Sequence, residues 1–325
     1  MPGQPPPARG FRTQWTDVPE RVRGAVERHL QSKIVSTVAH ASGFSPGFAG
    51  KLLLADGRTF FAKGVSPAQN PDTPSLHRRE AKIVGLLPAT TPVPKLLWTY
   101  DEGEDGWILL LFEYVQGRHP SEPWLPEELN QVLEAQDVLV AALTPSPITR
   151  DIAGTADEVV ARELRGWKWI RETTPSNLDV WSKKHLAELI ALEEQAPSAL
   201  GGDTLLHLDI LADNLLLSSE RVWFVDWPHA CIGAAWLDLV CFAPSVAMQG
   251  GPAPETLVEG SPRCRGVDPR LITTAIAAIA GRFTHRSLRP PPLGLPTVRA
   301  FQAAQGRAAR RWLSERLHWA WTTVD

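Results

Sequence analysis

Strand-like and helix-like runs are segregated along this chain of 325 residues. Short runs rich in β-branched and aromatic residues dominate the first third, and only one helix-like run lies among them. The five predicted strands cover residues 33–40, 49–56, 59–65, 95–100 and 107–113, and the helix between the third and fourth covers residues 75–87. Beyond residue 124 the periodic runs are mostly helical. The sequence therefore predicts an α+β protein with two lobes.

Turn-forming residues mark the boundary between the two lobes. Residues 114–124, YVQGRHPSEPW, have no sustained periodicity, so we expect them to form an interlobe linker. The first ten residues contain no apolar segment and are rich in proline, which favours a flexible tail. The predicted organisation is a tail at residues 1–16, an N-terminal lobe at 17–113, the linker at 114–124, and a mainly helical C-terminal lobe at 125–325.

The composition is that of a globular protein without a disulfide framework. Hydrophobic residues make up 43% of the chain, and no apolar run approaches the length of a transmembrane helix. Cys231, Cys241 and Cys264 are odd in number and lack metal-ligand spacing, which suits a reducing cytoplasm. We therefore expect a cytoplasmic protein with neither a membrane nor a nucleic acid as partner.

Charge is distributed unevenly along the chain. Residues 114–258 carry 9 Lys and Arg against 21 Asp and Glu, whereas residues 259–325 carry 11 against 4. An acidic middle suits a metal ion or a cationic ligand. The basic end either favours an anionic ligand or pairs with the acidic part, and the sequence leaves both interpretations open.

A dense polar motif interrupts the apolar runs of the C-terminal lobe. His207, Asp209 and Asn214 have the spacing His-x-Asp-x-x-x-x-Asn, and a short apolar strand then ends on Asp226. From the counts of these residue types, about 0.005 matches to the spacing are expected by chance. Phosphoryl transfer needs a carboxylate that receives a hydroxyl proton, and oxygen ligands for Mg²⁺. We therefore predict Asp209 as the base, Asn214 and Asp226 as Mg²⁺ ligands, and His207 as a brace of the loop.

The stretch HLDILADNLLL, followed by VWFVDWPHACIGAAWLDL, resembles the aminoglycoside phosphotransferase family, whose members are protein-kinase-like phosphotransferases of small molecules. The match covers His207, Asp209, Asn214, Asp226, Trp227, Gly233, Asp238 and Leu239. The chain departs from the pattern at Leu208, where the family often has Gly. The resemblance implies a bilobal protein-kinase-like fold with an N-terminal five-stranded antiparallel sheet and one helix. It also implies that Asp238, like His207, supports the catalytic loop.

The resemblance further implies a nucleotide site in the N-terminal lobe. Lys63, late in a predicted strand, is then expected to contact the α- and β-phosphates, and Glu80 in the following helix is expected to hold that lysine. The neighbouring Arg78, Arg79 and Lys82 are expected to be solvated.

The remaining nucleotide contacts are expected from a loop and from the linker. Residues 41–52 form a loop with several glycines between the first two strands, and we expect Ser45 and Gly47 to contact phosphate there. Backbone groups near Glu113 and Val115, where the last strand enters the linker, are expected to bind the purine. The implied cofactors are Mg²⁺ and either ATP or GTP.

The stretch after Asp226 indicates a small acceptor. Only WPHACIG separates Asp226 from the helix expected at Ala234, so the long activation segment of protein kinases is missing. We therefore predict transfer of a γ-phosphate to a hydroxyl of a small molecule, such as an aminoglycoside, nucleoside or macrolide antibiotic, as a resistance or self-protection reaction. A metabolite kinase of the choline, homoserine or sugar type shares this mechanism. A nucleotide-binding scaffold without activity is the alternative of a different class.

Overall fold

The computed structural model describes residues 11–40, 43–44 and 46–321 of the chain. Ser45, one of the predicted phosphate contacts, and residues 1–10 of the predicted tail lie outside these described residues. Within them, strands and helices separate into an N-terminal lobe built on one sheet and a mainly helical C-terminal lobe. The predicted fold class is confirmed.

The N-terminal lobe contains a five-stranded antiparallel sheet with strand order β1-β2-β3-β5-β4. Its elements are α1 (Glu20–Leu30), β1 (Ile34–Ala39), β2 (Phe48–Leu54), β3 (Thr59–Val65), α2 (Thr73–Val84), β4 (Leu96–Asp101) and β5 (Ile108–Glu113). The β2–β3 hairpin turns at Asp56–Gly57, where Gly57 has a φ of +85°, a conformation that glycine adopts without strain.

Strand β5, in the interior of the sheet, is buried on both faces. Leu109 and Leu111 of β5 pack in a cluster with Val22 and Val26 of α1. Alternate residues of the same strand, including Leu110, belong to the large core that α2 and the C-terminal lobe share. A strand whose two faces are both buried needs apolar side chains at successive positions, which explains the uninterrupted apolar run of β5.

Residues 11–16, which were predicted to belong to a flexible tail, pack against the N-terminal lobe. Trp15 is buried, and its ring centroid lies 4.9 Å from that of Phe48. The backbone of Arg12 forms a bridge with Gly47 of the loop before β2. Burial of one indole ring and pairing with this loop hold the segment in place, and proline-rich composition alone does not reveal such contacts.

The C-terminal lobe consists of helices with two short strand pairs between them. Its helices are α3 (Pro126–Ala142), α4 (Arg150–Ala153), α5 (Ala156–Glu163), α6 (Gly166–Thr173), α7 (Val180–Lys184), α8 (Leu186–Glu193), α9 (Ala196–Ala199), α10 (Leu237–Met248), α11 (Pro254–Gly260), α12 (Pro269–Ser287) and α13 (Val298–Arg316). Trp167, Trp181 and Trp312 are buried in its core, as their helical spacing predicts. None of the helices in the described part of the chain has the length and apolar character that a bilayer crossing requires.

Two small hairpin-like pairs frame the polar motif. They are β6 (Thr204–Leu206) with β9 (Cys231–Gly233), and β7 (Leu215–Leu217) with β8 (Val222–Phe224). The motif residues therefore lie in loops at the ends of these strands, between the core of the C-terminal lobe and the N-terminal sheet.

The segment between α12 and α13, residues 288–297, joins the lobes at a second place besides the linker. The Nδ2 of Asn70 donates a hydrogen bond of 3.1 Å to the carbonyl of Leu293. The N–H of Phe11 donates one of 2.8 Å to the carbonyl of Gly294. This segment thus contacts both the loop before α2 and the start of the described chain.

Candidate active site

Lys63 lies where the two lobes meet. Its Nζ lies 2.5 Å from Oε2 of Glu80 on α2. The same Nζ donates a hydrogen bond of 2.7 Å to Oδ1 of Asp226, which follows β8. Only 10% of the Lys63 side chain and 3% of the Glu80 side chain are exposed. One ammonium group therefore joins a carboxylate from each lobe.

The shared lysine sets the charge of this group of three. Burial acts to lower the pKa of Lys63, but Asp226 and Glu80 outweigh burial and raise that pKa, so the ammonium stays charged. Burial acts to raise the pKa of Asp226, and the positive charge of Lys63 outweighs it, so that the pKa lies below its ordinary value. For Glu80 burial is the stronger effect, and its pKa is raised. Of the two carboxylates, Asp226 is therefore the one that stays ionised more readily.

The β7–β8 pair brings the other motif residues to Asp226. The Nδ2 of Asn214 donates hydrogen bonds to the carbonyl of Asp209 at 2.8 Å and to its Oδ2 at 3.2 Å. The carbonyl of Asn214 accepts a hydrogen bond of 3.0 Å from the N–H of Val225, the residue before Asp226. The structure therefore brings Asp209, Asn214 and Asp226 into one site.

Asp238, at the start of α10, holds the backbone before Asp209. Its carboxylate accepts hydrogen bonds from the N–H groups of His207 at 2.9 Å and Leu208 at 2.7 Å. The Nε2 of His207 donates to the carbonyl of Val225 at 3.0 Å, and its Nδ1 accepts from the N–H of Asp209 at 3.3 Å. These contacts match a neutral imidazole that ties two loops together. They suit the supporting role that the sequence predicts for His207 and Asp238.

Leu208 has a left-handed backbone conformation with a φ of +63°. A side chain in this region costs about 1–2 kcal/mol, and glycine avoids most of that cost. The hydrogen bond from the Leu208 N–H to Asp238 helps to offset the strain. The loop thus keeps a conformation that glycine favours, although this chain has leucine where the aminoglycoside phosphotransferase pattern has Gly.

The oxygen atoms that remain at this site suit a divalent cation. Asn214 uses its nitrogen toward Asp209, and Asp226 uses Oδ1 toward Lys63. Oδ1 of Asn214 and Oδ2 of Asp226 are then the atoms left for a metal ion. An amide and a carboxylate oxygen are hard donors, and Mg²⁺ takes few of them because phosphates and water complete its shell. The donor set therefore fits Mg²⁺ bound together with a nucleotide.

Asp213 adds a carboxylate whose charge is sensitive to pH. Burial and the negative charge of Asp209, with a further contribution from Asp226, raise the pKa of Asp213 to about 7. Near neutral pH this residue is therefore partly protonated. The site carries less negative charge than its number of carboxylates suggests.

Arg12, within the predicted tail, places a guanidinium group near the site. Its Nη2 lies 3.0 Å from the position that a Cβ on Gly43 would occupy, beside the loop before β2. Burial lowers the pKa of Arg12, whereas Asp226 and Asp213 act to raise it, so both carboxylates lie within electrostatic range. No motif signals this contact, because it depends on the path of residues 11–16.

Gly47 forms the turn of the loop expected to cover phosphate. Its φ is +99°, and a Cβ added there would lie 2.4 Å from the carbonyl of Gly64 in β3. Such a distance is well below van der Waals contact, so only glycine fits against β3. The loop is thereby held directly over the strand that carries Lys63.

Glu113 and Val115 differ in what their backbones bind. The N–H of Glu113 donates to the carbonyl of Lys95 at 3.0 Å, and its Oε1 accepts from the N–H of Lys95 at 2.8 Å. Val115 makes no hydrogen bond with any other part of the chain that the structure describes. The Val115 backbone therefore keeps its donor and acceptor for a ligand.

Arg79 joins the lobes, and the expectation that it is solvated was wrong. Its guanidinium donates hydrogen bonds to the carbonyls of Pro228 at 2.8 Å, Ala153 at 2.6 Å and Ala230 at 2.8 Å. These acceptors belong to the segment after Asp226 and to the end of α4. Arg79 thereby fixes α2, and with it Glu80, against the C-terminal lobe.

Comparison with family models decides the family. The model described as the phosphotransferase enzyme family matches residues 41–260, which include Lys63, the catalytic loop and Asp226. The chain belongs to the phosphotransferase enzyme family. The predicted family and the prediction of a phosphotransferase enzyme are both confirmed. Comparison with curated protein sequences gave no significant match.

Solved structures with the same fold support the overall architecture of this phosphotransferase. Choline kinase LicA from Streptococcus pneumoniae is 12% identical with a TM-score of 0.58, and the match covers 91% of this chain and 98% of that one. A thermostable mutant of aminoglycoside phosphotransferase APH(4)-Ia, solved with AMP-PNP and hygromycin B, is 17% identical with a TM-score of 0.55, over 91% and 98% of the two chains. Amicoumacin kinase hAmiN, solved with AMP-PNP, Ca²⁺ and Ami, is 12% identical with a TM-score of 0.55, over 90% and 93%.

Proposed function

We propose that this phosphotransferase moves the γ-phosphate of a nucleoside triphosphate to a hydroxyl of a small molecule. The observation that carries the proposal is the contact of Lys63 with Glu80 in one lobe and Asp226 in the other. The two carboxylates keep the Lys63 ammonium charged in the cleft, and phosphate oxygens are natural partners of an ammonium group.

In this proposal the donor nucleotide binds between the lobes. Lys63 contacts the α- and β-phosphates, and the loop at Gly47 covers them. The Val115 backbone binds the purine of ATP or GTP through main-chain hydrogen bonds. Asn214 and Asp226 hold Mg²⁺, which neutralises charge on the phosphates when it is bound.

Asp209 acts on the acceptor. The hydroxyl oxygen of the acceptor forms a bond to the γ-phosphorus, and the bond from that phosphorus to the β–γ bridging oxygen breaks, so the nucleoside diphosphate leaves. Asp209 orients the hydroxyl and receives its proton, which then passes to solvent. Asn214 holds Oδ2 of Asp209 in place, because its amide donates to that atom.

We propose an antibiotic or related natural product as the acceptor, in a resistance or self-protection reaction. Two structures of the same fold were solved with hygromycin B and with Ami, which supports this class. A metabolite kinase is the second candidate, because a choline kinase has the same fold. The free cysteines Cys231, Cys241 and Cys264 agree with a reducing compartment, and we propose the cytoplasm.

A transfer assay with γ-labelled ATP tests the proposal. A panel of hydroxylated antibiotics and metabolites is incubated with the protein and Mg²⁺, and the label in the acceptor is measured. Asp209→Asn is expected to abolish transfer while nucleotide binding persists. Asp203→Asn, at an exposed position shortly before β6, is the matched control and is expected to keep full activity. Nucleotide binding without transfer to any acceptor would favour the scaffold instead.

A further inference from the structure

The end of α12 presents a row of basic side chains on one face. Arg282, His285 and Arg286 follow one another in the last turns of α12 at intervals of three and one residues, which places them on the same side of the helix, and Arg289 follows two residues after the helix ends at Ser287. Arg299 in the first turn of α13 lies close enough to act on Arg286 and His285 electrostatically. We call these five residues the basic face.

The basic face has too few carboxylates to neutralise it. Oε2 of Glu163, at the end of α5, pairs with Arg282 at 2.7 Å and with Arg286 at 3.1 Å. Arg289 and Arg299 form no ion pair with the described residues, although Arg299 donates hydrogen bonds to the carbonyl of Pro290 at 3.0 Å and to Oε1 of Gln302 at 2.8 Å. Four guanidinium groups therefore share one carboxylate. The internal pairing that the sequence left open accounts for only part of this charge.

Like charges repel one another within the basic face. The charge of Arg282, together with burial, lowers the pKa of Arg286 to about 10, and Glu163 does not outweigh them. A helix dipole favours cations in the last turn of α12, but it disfavours Arg299 in the first turn of α13. Two helices thus bring like charges together at a cost in folding free energy, which an anionic ligand would recover.

The basic face also remains open to a ligand. Of the Arg282 side chain 17% is exposed, and of the Arg286 side chain 35%. The Nδ1 of His285 is buried without a hydrogen-bond partner among the described residues. The partly exposed ring of Trp169 lies 4.9 Å from His285 and forms an apolar border.

Arg282 of the basic face and Asp209 share two neighbouring residues. His229 follows Asp226 by three residues and is within electrostatic range of both Asp209 and Arg282. Cys241 of α10 likewise lies within range of both groups. His229 and Cys241 thus lie near both Arg282 and the proposed base.

We propose that the basic face binds an oxyanion of the acceptor, so that the acceptor is a small alcohol carrying a carboxylate, phosphate or sulfate group. This inference rests on the proposed function, because it names the acceptor class of the same site. An oxyanion held by Arg286 and Arg299 would leave the rest of the molecule to reach Asp209 past Arg282 and His229. A polycation such as an aminoglycoside would meet repulsion at this place.

Four matched polyols test the charge preference directly. Sorbitol is neutral, gluconate has a carboxylate at one end, sorbitol 6-phosphate has a phosphate there, and N-methylglucamine has an ammonium group. Binding of each is measured by calorimetry in the presence of Mg²⁺ and AMP-PNP, so that the nucleotide occupies the donor site and competes away anions there. We expect gluconate or sorbitol 6-phosphate to bind about tenfold more tightly than sorbitol, and N-methylglucamine to bind most weakly. The stronger of the two anions identifies the oxyanion type.

Substitutions in the basic face test whether it causes the preference for anionic polyols. Arg286→Gln with Arg299→Gln is expected to remove the preference for the anionic polyols, whereas Arg270→Gln should preserve it. Arg270 is 89% exposed at the opposite end of α12, so it controls for the loss of a positive charge away from the basic face. Circular dichroism checks that both variants fold. Equal binding of all four polyols, tighter binding of N-methylglucamine, or an anion preference that survives the double substitution would overturn the proposal.

Transfer of label separates this inference from the function on which it rests. If the anion preference depends on Arg286 and Arg299 but no polyol or panel compound is phosphorylated, the subsite stands and the proposed function fails. If phosphorylation depends on Asp209 and the preferred acceptors are cationic or neutral, the function stands and the anionic subsite is wrong.

Discussion

The Nζ of Lys63 donates a 2.7 Å hydrogen bond to Oδ1 of Asp226, although 163 positions separate the two residues in the chain. The bond crosses from β3 of the N-terminal sheet to the segment after β8 in the other lobe. It therefore couples the position of the proposed phosphate-binding lysine to that of a proposed metal ligand. Any change in how the lobes meet changes both.

Substitution of Lys63 is expected to impair transfer strongly. Lys63→Met removes the cation that holds the donor phosphates, and we expect kcat/KM for phosphate transfer to fall by about 100-fold or more. Lys82→Met removes an exposed lysine of α2 and serves as the control. Because Glu80 and Asp226 lose their cation, urea unfolding is measured alongside, and equal activity of the two variants would contradict the assignment.

Arg78 and Arg79 are adjacent in α2 but bind different groups. Arg79→Gln leaves three backbone carbonyls without their charged donor, so we expect the free energy of unfolding to fall by about 3 kcal/mol and transfer to slow. Arg78 pairs with Asp101 in a partly exposed bridge, so Arg78→Gln is expected to cost about 0–1 kcal/mol. Chemical unfolding of both variants checks the difference, and similar losses would mean that Arg79 does not anchor α2.

Two glycines with positive φ allow a paired test of the glycine loop. A Cβ added at Gly57 has no atom within 4 Å, so Gly57→Ala is expected to lower the free energy of unfolding by about 1 kcal/mol through backbone strain alone. Gly47→Ala has the same strain and also forces a Cβ against the Gly64 carbonyl. We expect it to weaken binding of Mg-AMP-PNP in calorimetry, whereas Gly57→Ala should bind normally. Normal binding by both would remove Gly47 from the nucleotide site.

The left-handed conformation of Leu208 predicts an unusual order of stability. Leu208→Ala and Leu208→Gly both remove the packing of the leucine side chain, but only glycine relieves the strain at a φ of +63°. We therefore expect the glycine variant to be more stable than the alanine variant by about 1 kcal/mol, the reverse of the order in most positions. Thermal unfolding measures the order, and a more stable alanine variant would show that the loop is not strained.

Glu193 is expected to make stability depend on pH. Its carboxylate accepts hydrogen bonds from the N–H groups of Trp167 at 3.0 Å and Lys168 at 3.1 Å, yet burial raises its pKa to about 7. The folded state therefore holds this proton more tightly than the unfolded chain does, so the Glu193 contribution is largest below about pH 4.5 and is lost as pH rises to about 7.

The comparison with Glu193→Gln isolates that contribution. The free energy of unfolding of the parent protein minus that of the variant should decrease by at most about 3 kcal/mol between pH 4.5 and pH 8. Urea unfolding at four pH values provides the numbers. A difference that stays constant or grows with pH would mean that Glu193 is ionised in the fold.

Local signals made the fold predictable. Glycine at position 57 relieves the turn between two of the predicted strands, and the apolar run at residues 107–113 was recognisable as a strand, but its place in the sheet was not. Residues 11–16 were not predictable in the same way. Their position depends on one tryptophan ring against Phe48 and on a bridge to Gly47, and neither contact leaves a periodic pattern.

The site was predictable where its residues are close in sequence. His207, Asp209 and Asn214 have a fixed spacing because one short loop carries them. Arg79 was missed because its three acceptors are carbonyl groups, which every residue type provides. The basic face had a usable signal in the spacing of Arg282, His285, Arg286 and Arg289, but only the tertiary structure brings Arg299 and Glu163 to it.

The segment at residues 288–297 has a kinetic consequence. Because it contacts Asn70 and Phe11, the lobes cannot swing apart about the linker unless the bonds to Leu293 and Gly294 break. In the proposed function, exchange of the nucleoside diphosphate for a fresh nucleoside triphosphate then depends on how often this connection opens. The same segment links α12 to α13, so an acceptor resting on those helices would retard the exchange, and the order in which products depart would follow from the fold itself.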